Sequence, residues 1–248
     1  MRLVDTHCHL DFDRFDDDRD GIIAECAERL EHVVNSGTNL ERNQASLRLA
    51  AEHAVVEATL GVHPTYVTDE LDLDGIEEQI RQHRESIVGV GEIGLDYHHV
   101  SDERWRAKQE DIFERFLAVA AELQLPAVLH TRDAEQPAMD IVEDYDLPHV
   151  VLHCFNGRPE LAEAAVDRGY HVSISTQVLY SDRVQALAEA VPLDRILLET
   201  DAPFLYRGER NVPWHVAESA EQIADIKDLD PAEVGRVTTG NAEAVFGL

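Results

Sequence analysis

Residues 87–130, IVGVGEIGLDYHHVSDERWRAKQEDIFERFLAVAAELQLPAVLH, hold one complete strand–helix–strand unit. Ile87–Gly91 is a short apolar run that predicts a strand. Trp105, Ile112, Phe113, Phe116, Leu117 and Ala120 then recur at intervals of three and four, which places them on one face of a helix over 105–123. Pro126–His130 predicts the next strand. A helical crossover between strands implies that they run parallel, with the helix covering the sheet. The same alternation extends in both directions. Strand-type runs occur at Leu3–Thr6, His32–Ser36, Val56–Val62, His149–His153, Tyr170–Ser175 and Arg195–Glu199, making eight with the two above. Residues 214–227 and 231–246 read as closing helices. Eight such units in 248 residues fit a closed (β/α)8 TIM barrel better than an open doubly wound sheet, the alternative fold. No low-complexity linker, Pro/Gly-rich hinge or internal repeat divides the chain, so residues 1–248 are expected to form a single domain.

The core must be mostly aliphatic, because 44% of residues are hydrophobic but only 6% aromatic. Acidic residues number 50 against 21 basic ones, a net charge of −29, and Lys108 and Lys227 are the two lysines. The acids are spread along the chain and form no tail. That distribution favours a halophilic protein, whose self-repulsion is screened by concentrated salt, over an acidic surface built for a basic partner. The run Asp16–Asp18 reads as a solvated loop and helix start. Cys8, Cys26 and Cys154 show no CxxC spacing and read as free thiols of a reducing compartment. Cys8 and Cys154 each follow a histidine of interest, and strand alternation should turn them away from it. No 18-residue apolar run predicts a membrane span, and residues 1–12 carry no signal-peptide pattern, so the expected location is the cytoplasm.

Barrel enzymes place their chemistry where the strands end. The first strand ends Asp5-Thr6-His7-Cys8-His9, and the period of two puts His7 and His9 on one side, a ready half-site for a divalent metal. His63 follows the third strand, Glu92 lies at the fourth, His130 ends the fifth, His153 the sixth, and Asp201 follows the eighth. Five histidines and two carboxylates on one face would cost several kcal/mol to bury without a cation. One or two divalent ions resolve this. His32, His53, His83, His98, His99, His149, His171 and His215 read as surface or packing residues.

The motifs DTHCHLD, GVHP, GEIGLDY, LHTRDA, LHCFNG and LLETDAPFL occur in order, followed by RNVP and TTGNAEAVFGL. Together they resemble the TatD family of metal-dependent deoxyribonucleases, within the amidohydrolase-like barrels, over essentially the whole chain. The resemblance implies two divalent metal ions: His7 and His9 on one with Asp201, Glu92 bridging, and His130 and His153 completing the second. Residues Thr176-Gln177-Val178 depart from the glycine expected after the seventh strand. No lysine stands at a strand end, so Glu92 must serve as the bridge that a modified lysine provides in many related barrels.

The expected reaction is hydrolysis of DNA phosphodiester bonds by a water activated between two ions, either magnesium, manganese or zinc. Asp201 would be a ligand or would orient and deprotonate that water. His63 would contact the phosphate or protonate the leaving group, and Arg132 would clamp phosphate. Glu199, Asp96 and Asp133 would orient the ligating histidines. A −29 protein lacks a broad basic surface, so a single strand or a DNA end is the expected substrate, with Tyr97, Phe155, Tyr206 and Trp214 as possible stacking residues, packing being the favoured reading for most. No membrane is expected as partner, and the chain is expected to be a monomer or weak oligomer. An amide or ester hydrolase, including one acting on aminoacyl esters, is the alternative on the same site, and a non-catalytic metal-binding barrel the second.

Overall fold

The computed structural model describes residues 3–248. Strands β1 (Val4–Cys8), β2 (His32–Ser36), β3 (Val56–Leu60), β4 (Gly89–Asp96), β5 (Ala127–Arg132), β6 (Val150–Leu152), β7 (His171–Ile174) and β8 (Ile196–Leu198) pair in parallel in sequence order. Between them lie α1 (Arg19–Arg29), α2 (Leu40–Glu52), α3 (Leu73–Gln82), α4 (Glu103–Leu123), α5 (Glu135–Val142), α6 (Pro159–Asp167) and α7 (Asp182–Ala190), with α8 (Val216–Lys227) and α9 (Pro231–Phe246) at the end. The two ends of the sheet meet through a parallel bridge between Cys8 and Ala202, with His9 N–H donating to Ala202 O (2.7 Å) and Asp201 N–H to His7 O (2.9 Å). The chain is a (β/α)8 barrel, as the alternation predicted. Among the described residues no helix is long and apolar enough to cross a membrane.

β2 and α9 coincide with the runs read from sequence. β4 departs most, extending to Asp96 where the apolar run had suggested an end at Gly91. Its ladder with β5 loses register between Val90 and Ile93, and that of β1 with β2 does so between Asp5 and Cys8. Such irregularities re-aim side chains at a barrel rim. Gly94 shows why this strand resists reading: its φ is +139°, and a Cβ there would lie 2.1 Å from His130 O. Only glycine fits, and glycines hide the strand's propensity.

The barrel interior changes character along its axis. Val4, Val128, Val151 and Leu197 pack with Ala242, Val245 and Phe246 of α9, which closes the end where the strands begin. Asn241 fixes that helix by donating to Leu193 O (2.9 Å) and Ile196 O (2.8 Å). Further along, hydroxyls replace methyls: Thr6 Oγ1 meets Ser173 Oγ across the barrel at 3.3 Å, and Thr59 Oγ1 donates to Ser36 Oγ at 3.1 Å. This polar floor underlies the cluster at the C-terminal mouth. The larger apolar cluster, with Phe113 and Phe116 of α4, packs the helices onto the strands.

Candidate metal centre

β1 brings His7 and His9 to the same side, their Nε2 atoms 3.3 Å apart. Asp201, just beyond β8, places Oδ1 3.3 Å from His9 Nε2 and 4.0 Å from His7 Nε2. Glu92 enters from the irregular part of β4 and is 2% exposed. Its Oε2 lies 3.4 Å from His7 Nε2 and 3.8 Å from His9 Nε2. Its Oε1 lies 2.8 Å from His130 Nδ1, 3.3 Å from His63 Nε2 and 3.5 Å from His153 Nε2. One carboxylate therefore faces two sets of imidazoles with different oxygens. All seven residues singled out at the strand ends meet in one place.

Donor atoms within 4.8 Å of one another form the sets His7–His9–Asp201 and His63–Glu92–His130, with His153 joining His7 and Glu199 in another. His63 thus stands among the converging donors rather than beside them. Arg132 is exposed, lines the cavity above the cluster, and has no carboxylate partner among the described residues.

The supporting contacts come partly as expected. Glu199 Oε2 is 2.9 Å from His153 Nδ1, and Asp96 Oδ2 is 3.0 Å from His130 Nε2. Asp133 does not orient a cluster histidine. The chain turns at Asp133 (φ 54°), and its exposed carboxylate sits 2.9 Å from His98 Nδ1. Three supports escaped the sequence. Ser36 holds both histidines of β1, through Oγ at 3.1 Å from His7 Nδ1 and through its carbonyl, which accepts from His9 Nδ1 at 3.0 Å. Asp5 accepts from the N–H and hydroxyl of Thr200 (2.9 and 2.6 Å), tying β1 to the segment that carries Asp201. His99, read as a surface or packing residue, instead lines the cavity, with Nδ1 2.9 Å from Asp96 Oδ2.

Cys8 turns away as strand alternation requires, its thiol donating to Val34 O at 3.6 Å. Cys154 does not. It lies beyond the end of β6 with φ 45°, where alternation has ceased, and its sulfur groups with His153 and Asp201. The four aromatics named from sequence are largely packing residues. Phe155 is buried, Tyr97 hydrogen-bonds Glu110 under Arg106, Tyr206 stacks on His215 at 3.9 Å, and Trp214 lies beneath Arg29. The aromatics of the cavity, about 650 Å³ in volume, are Phe12, Tyr66 and Phe204. Each lies in a loop directly after a strand, a position that could have marked it.

Burial would raise the pKa of Glu92, but the charges of His63 and His153 and the hydrogen bond from His130 hold it well below the ordinary range. Asp201 is likewise lowered against its burial, first by His9. Conversely, burial opposes charge on His9 and His130, yet Asp201 pushes His9 up to about 9, and Asp96 with Glu92 pushes His130 up to about 9. His7 is lowered by burial and by the neighbouring His153. The buried carboxylates therefore demand positive charge beside them. Divalent cations answer the same demand, and the imidazole–carboxylate donor set suits zinc, manganese or iron, with oxygen ligands available for magnesium. The residues present fit such ions.

A family model described as TatD related DNase matches residues 4–247. The chain is 33% identical over 257 residues to a protein of Bacillus subtilis (strain 168) named uncharacterized metal-dependent hydrolase YabD, covering 99% of each. It is 32% identical over 263 residues to one named 3'-5' ssDNA/RNA exonuclease TatD from Citrobacter koseri, again covering 99% of each. Its fold superposes on the crystal structure of YjjV, a TatD homologue from Escherichia coli K12, with a TM-score of 0.91 at 28% identity, covering 100% of this chain and 98% of the other. The chain belongs to the TatD-related DNase family and is a metal-dependent hydrolase.

Proposed function

We propose that the protein hydrolyses phosphodiester bonds of DNA, acting as an exonuclease on single strands or on DNA ends. In this reading His7, His9 and Asp201 would hold one divalent cation and His130 and His153 a second, with Glu92 shared between them. The observation that carries it is Glu92, whose two oxygens face separate imidazole sets from one buried position. When bound, two such cations acidify a water and neutralise charge on the phosphate.

The protein's own groups have distinct tasks. Asp201 is the more exposed carboxylate, at 16% against 2% for Glu92, so it is the one placed to take the proton of the attacking water. Thr65 N–H donates to His63 Nδ1 (3.2 Å), which places that ring's proton on Nε2, directed into the site toward Glu92 Oε1. His63 can thus donate to the phosphate or to the leaving oxygen. Arg132, at the cavity wall and without a carboxylate partner among the described residues, offers a planar fork to a phosphate. The exposed large apolar residues Leu40, Tyr66, Tyr180 and Phe204 all lie on segments that follow strand ends, on the side of the cavity. Stacking of bases on the aromatic ones supplies affinity that salt screens less than charge. A mouth of about 650 Å³ takes a nucleotide rather than a duplex.

The test is digestion of end-labelled single- and double-stranded DNA with added magnesium, manganese or zinc, alongside an amide and ester panel. Glu92→Gln should remain folded by circular dichroism and lose activity by about a thousandfold or more, on the order of 4 kcal/mol of barrier. Hydrolysis of amides or esters with no DNA cleavage under any metal would move the reading from attack at phosphorus to attack at a carbonyl carbon. We propose too that the charge of −29 is an adaptation to concentrated salt in the cytoplasm. The melting temperature should then rise by about 10 °C or more between dilute buffer and molar KCl, and a flat curve would remove that reading.

A further inference from the structure

A second cavity, of about 410 Å³, adjoins the first and shares Glu135 and Asn156 with it as walls. On this acidic chain half of the described arginines grip carboxylates, as Arg42 does Asp11 and Asp13, Arg115 does Asp74 and Glu77, and Arg210 does Asp18. Arg158 and Arg183, which line the second cavity, do not. The Arg158 side chain has no polar partner among the described residues, and that of Arg183 only donates to Asn156 O at 3.3 Å.

Two carboxylates share the wall; neither makes an ion pair with an arginine among the described residues, though the charge of Arg183 acts on Glu135. Asp133 is engaged by His98 at 2.9 Å, and burial together with the charge of Asp133 holds Glu135 above the ordinary carboxylate range. The loop between β6 and α6 is built to keep this shape. A Cβ at Gly157 would lie 2.6 Å from the Phe155 ring and 3.2 Å from Glu135 Cγ, so a side chain there would force one of these neighbours to move. The N-terminus of α6 begins at this loop, and its N-cap residue Arg158 makes no side-chain cap bond. Two guanidinium groups beside a cavity, neither with a carboxylate partner among the described residues, form a setting for a phosphate.

We propose that the second cavity receives the phosphodiester group of a nucleotide beyond the one being cleaved, held by Arg158 and Arg183, so that the substrate is a continuing strand. The inference rests on the phosphodiesterase reading above. Its consequence is a length preference: affinity should grow as a strand becomes long enough to reach the second cavity, then level off.

Two measurements test it on the full chain. The first compares kcat/KM for thymidine oligonucleotides of two to eight residues with that for bis(p-nitrophenyl) phosphate, in wild type, Arg158→Gln, Arg183→Gln and the double variant. Each single change should lower kcat/KM on the long strands about fivefold and both together about twentyfold, the size expected of exposed charge contacts, with the small diester unaffected. Equal losses on both substrates, or no loss on the long strands, would overturn the proposal. The second is fluorescence anisotropy of labelled oligonucleotides in chelator, which needs no cleavage. Tighter binding of longer strands in wild type, abolished in the double variant, supports the second cavity; indistinguishable isotherms refute it. Length-dependent binding by a protein that cleaves neither substrate would fault the catalytic reading alone.

Discussion

His130 and His171 are both packed into strands of one barrel, at opposite ends, and they are perturbed in opposite directions. His130, at the C-terminal mouth, lies against Asp96 and Glu92, which push its pKa up to about 9 despite burial. His171, at the start of β7, makes no ion pair with a carboxylate among the described residues; burial first, then the charge of Arg195 and the neighbouring His149, pull it down to about 4 against the weaker opposing charge of Asp194. Its Nδ1 is buried without a hydrogen-bond partner among the described residues. The mouth collects negative charge and so prepares a place for cations. The end where the strands begin is apolar and supplies packing. This division, in which the strand C-termini carry chemistry and the other end stability, is the general economy of the fold.

The comparison breaks most sharply if Glu92→Gln keeps activity, since its expected loss of about a thousandfold is the largest effect assigned to any one side chain. The opposite end has its own decisive residue. Phe246→Ala empties the contact between α9 and the strand starts and should cost about 3 kcal/mol in urea unfolding. At a temperature where it remains folded, that variant should retain wild-type kcat/KM. A loss of activity in proportion to stability would show that floor and mouth are not separable.

A smaller effect concerns pH. In the unfolded chain His171 titrates near 6.5, and in the fold near 4. Between these values the unfolded state binds more protons, so stability is full above about pH 6.5, falls as the pH drops toward 4, and changes no further below that. Discounted for partial solvent access, the loss is about 2 kcal/mol. Denaturant titrations of wild type and His171→Asn at a series of pH values should show a shallower decline for the variant across that window. Parallel curves would mean that His171 is solvated and contributes nothing to the contrast.

Legibility in the sequence followed the same division. Helix spacing and apolar runs located all eight strands, because packing between barrel and helices is written in local periodicity. The seven residues at the mouth were also visible, since chemistry-bearing side chains at strand ends are conspicuous. Where the backbone leaves regular geometry, reading failed. The irregularity at Val90–Ile93 and the positive φ of Gly94 hid half of β4, and the left-handed turns at Asp133 and Cys154 reversed the expected roles of both. Partners far apart in sequence were equally hidden: Asp5 and Thr200 are 195 residues apart, and nothing local in either announces the other.

Ser36 gives the finest test, because one residue holds two histidines by different means. Its hydroxyl meets His7 Nδ1, while its backbone carbonyl accepts from His9 Nδ1. Ser36→Ala removes the first contact and leaves the second. Thr59, which donates to the Ser36 hydroxyl, then loses its acceptor, and His7 keeps only its stacking on His153, at 3.5 Å between centroids, and the contacts of its Nε2. If orientation of His7 matters to cation binding, affinity for manganese or zinc measured by titration calorimetry should fall about tenfold, the lower end for groups that orient a ligand. Thr59→Val keeps the Ser36–His7 contact and should fall by less. Should both variants bind cations as the wild type does, the hydroxyl floor beneath the mouth would be packing alone, and the boundary between the two ends of the barrel would lie above Ser36 rather than below it.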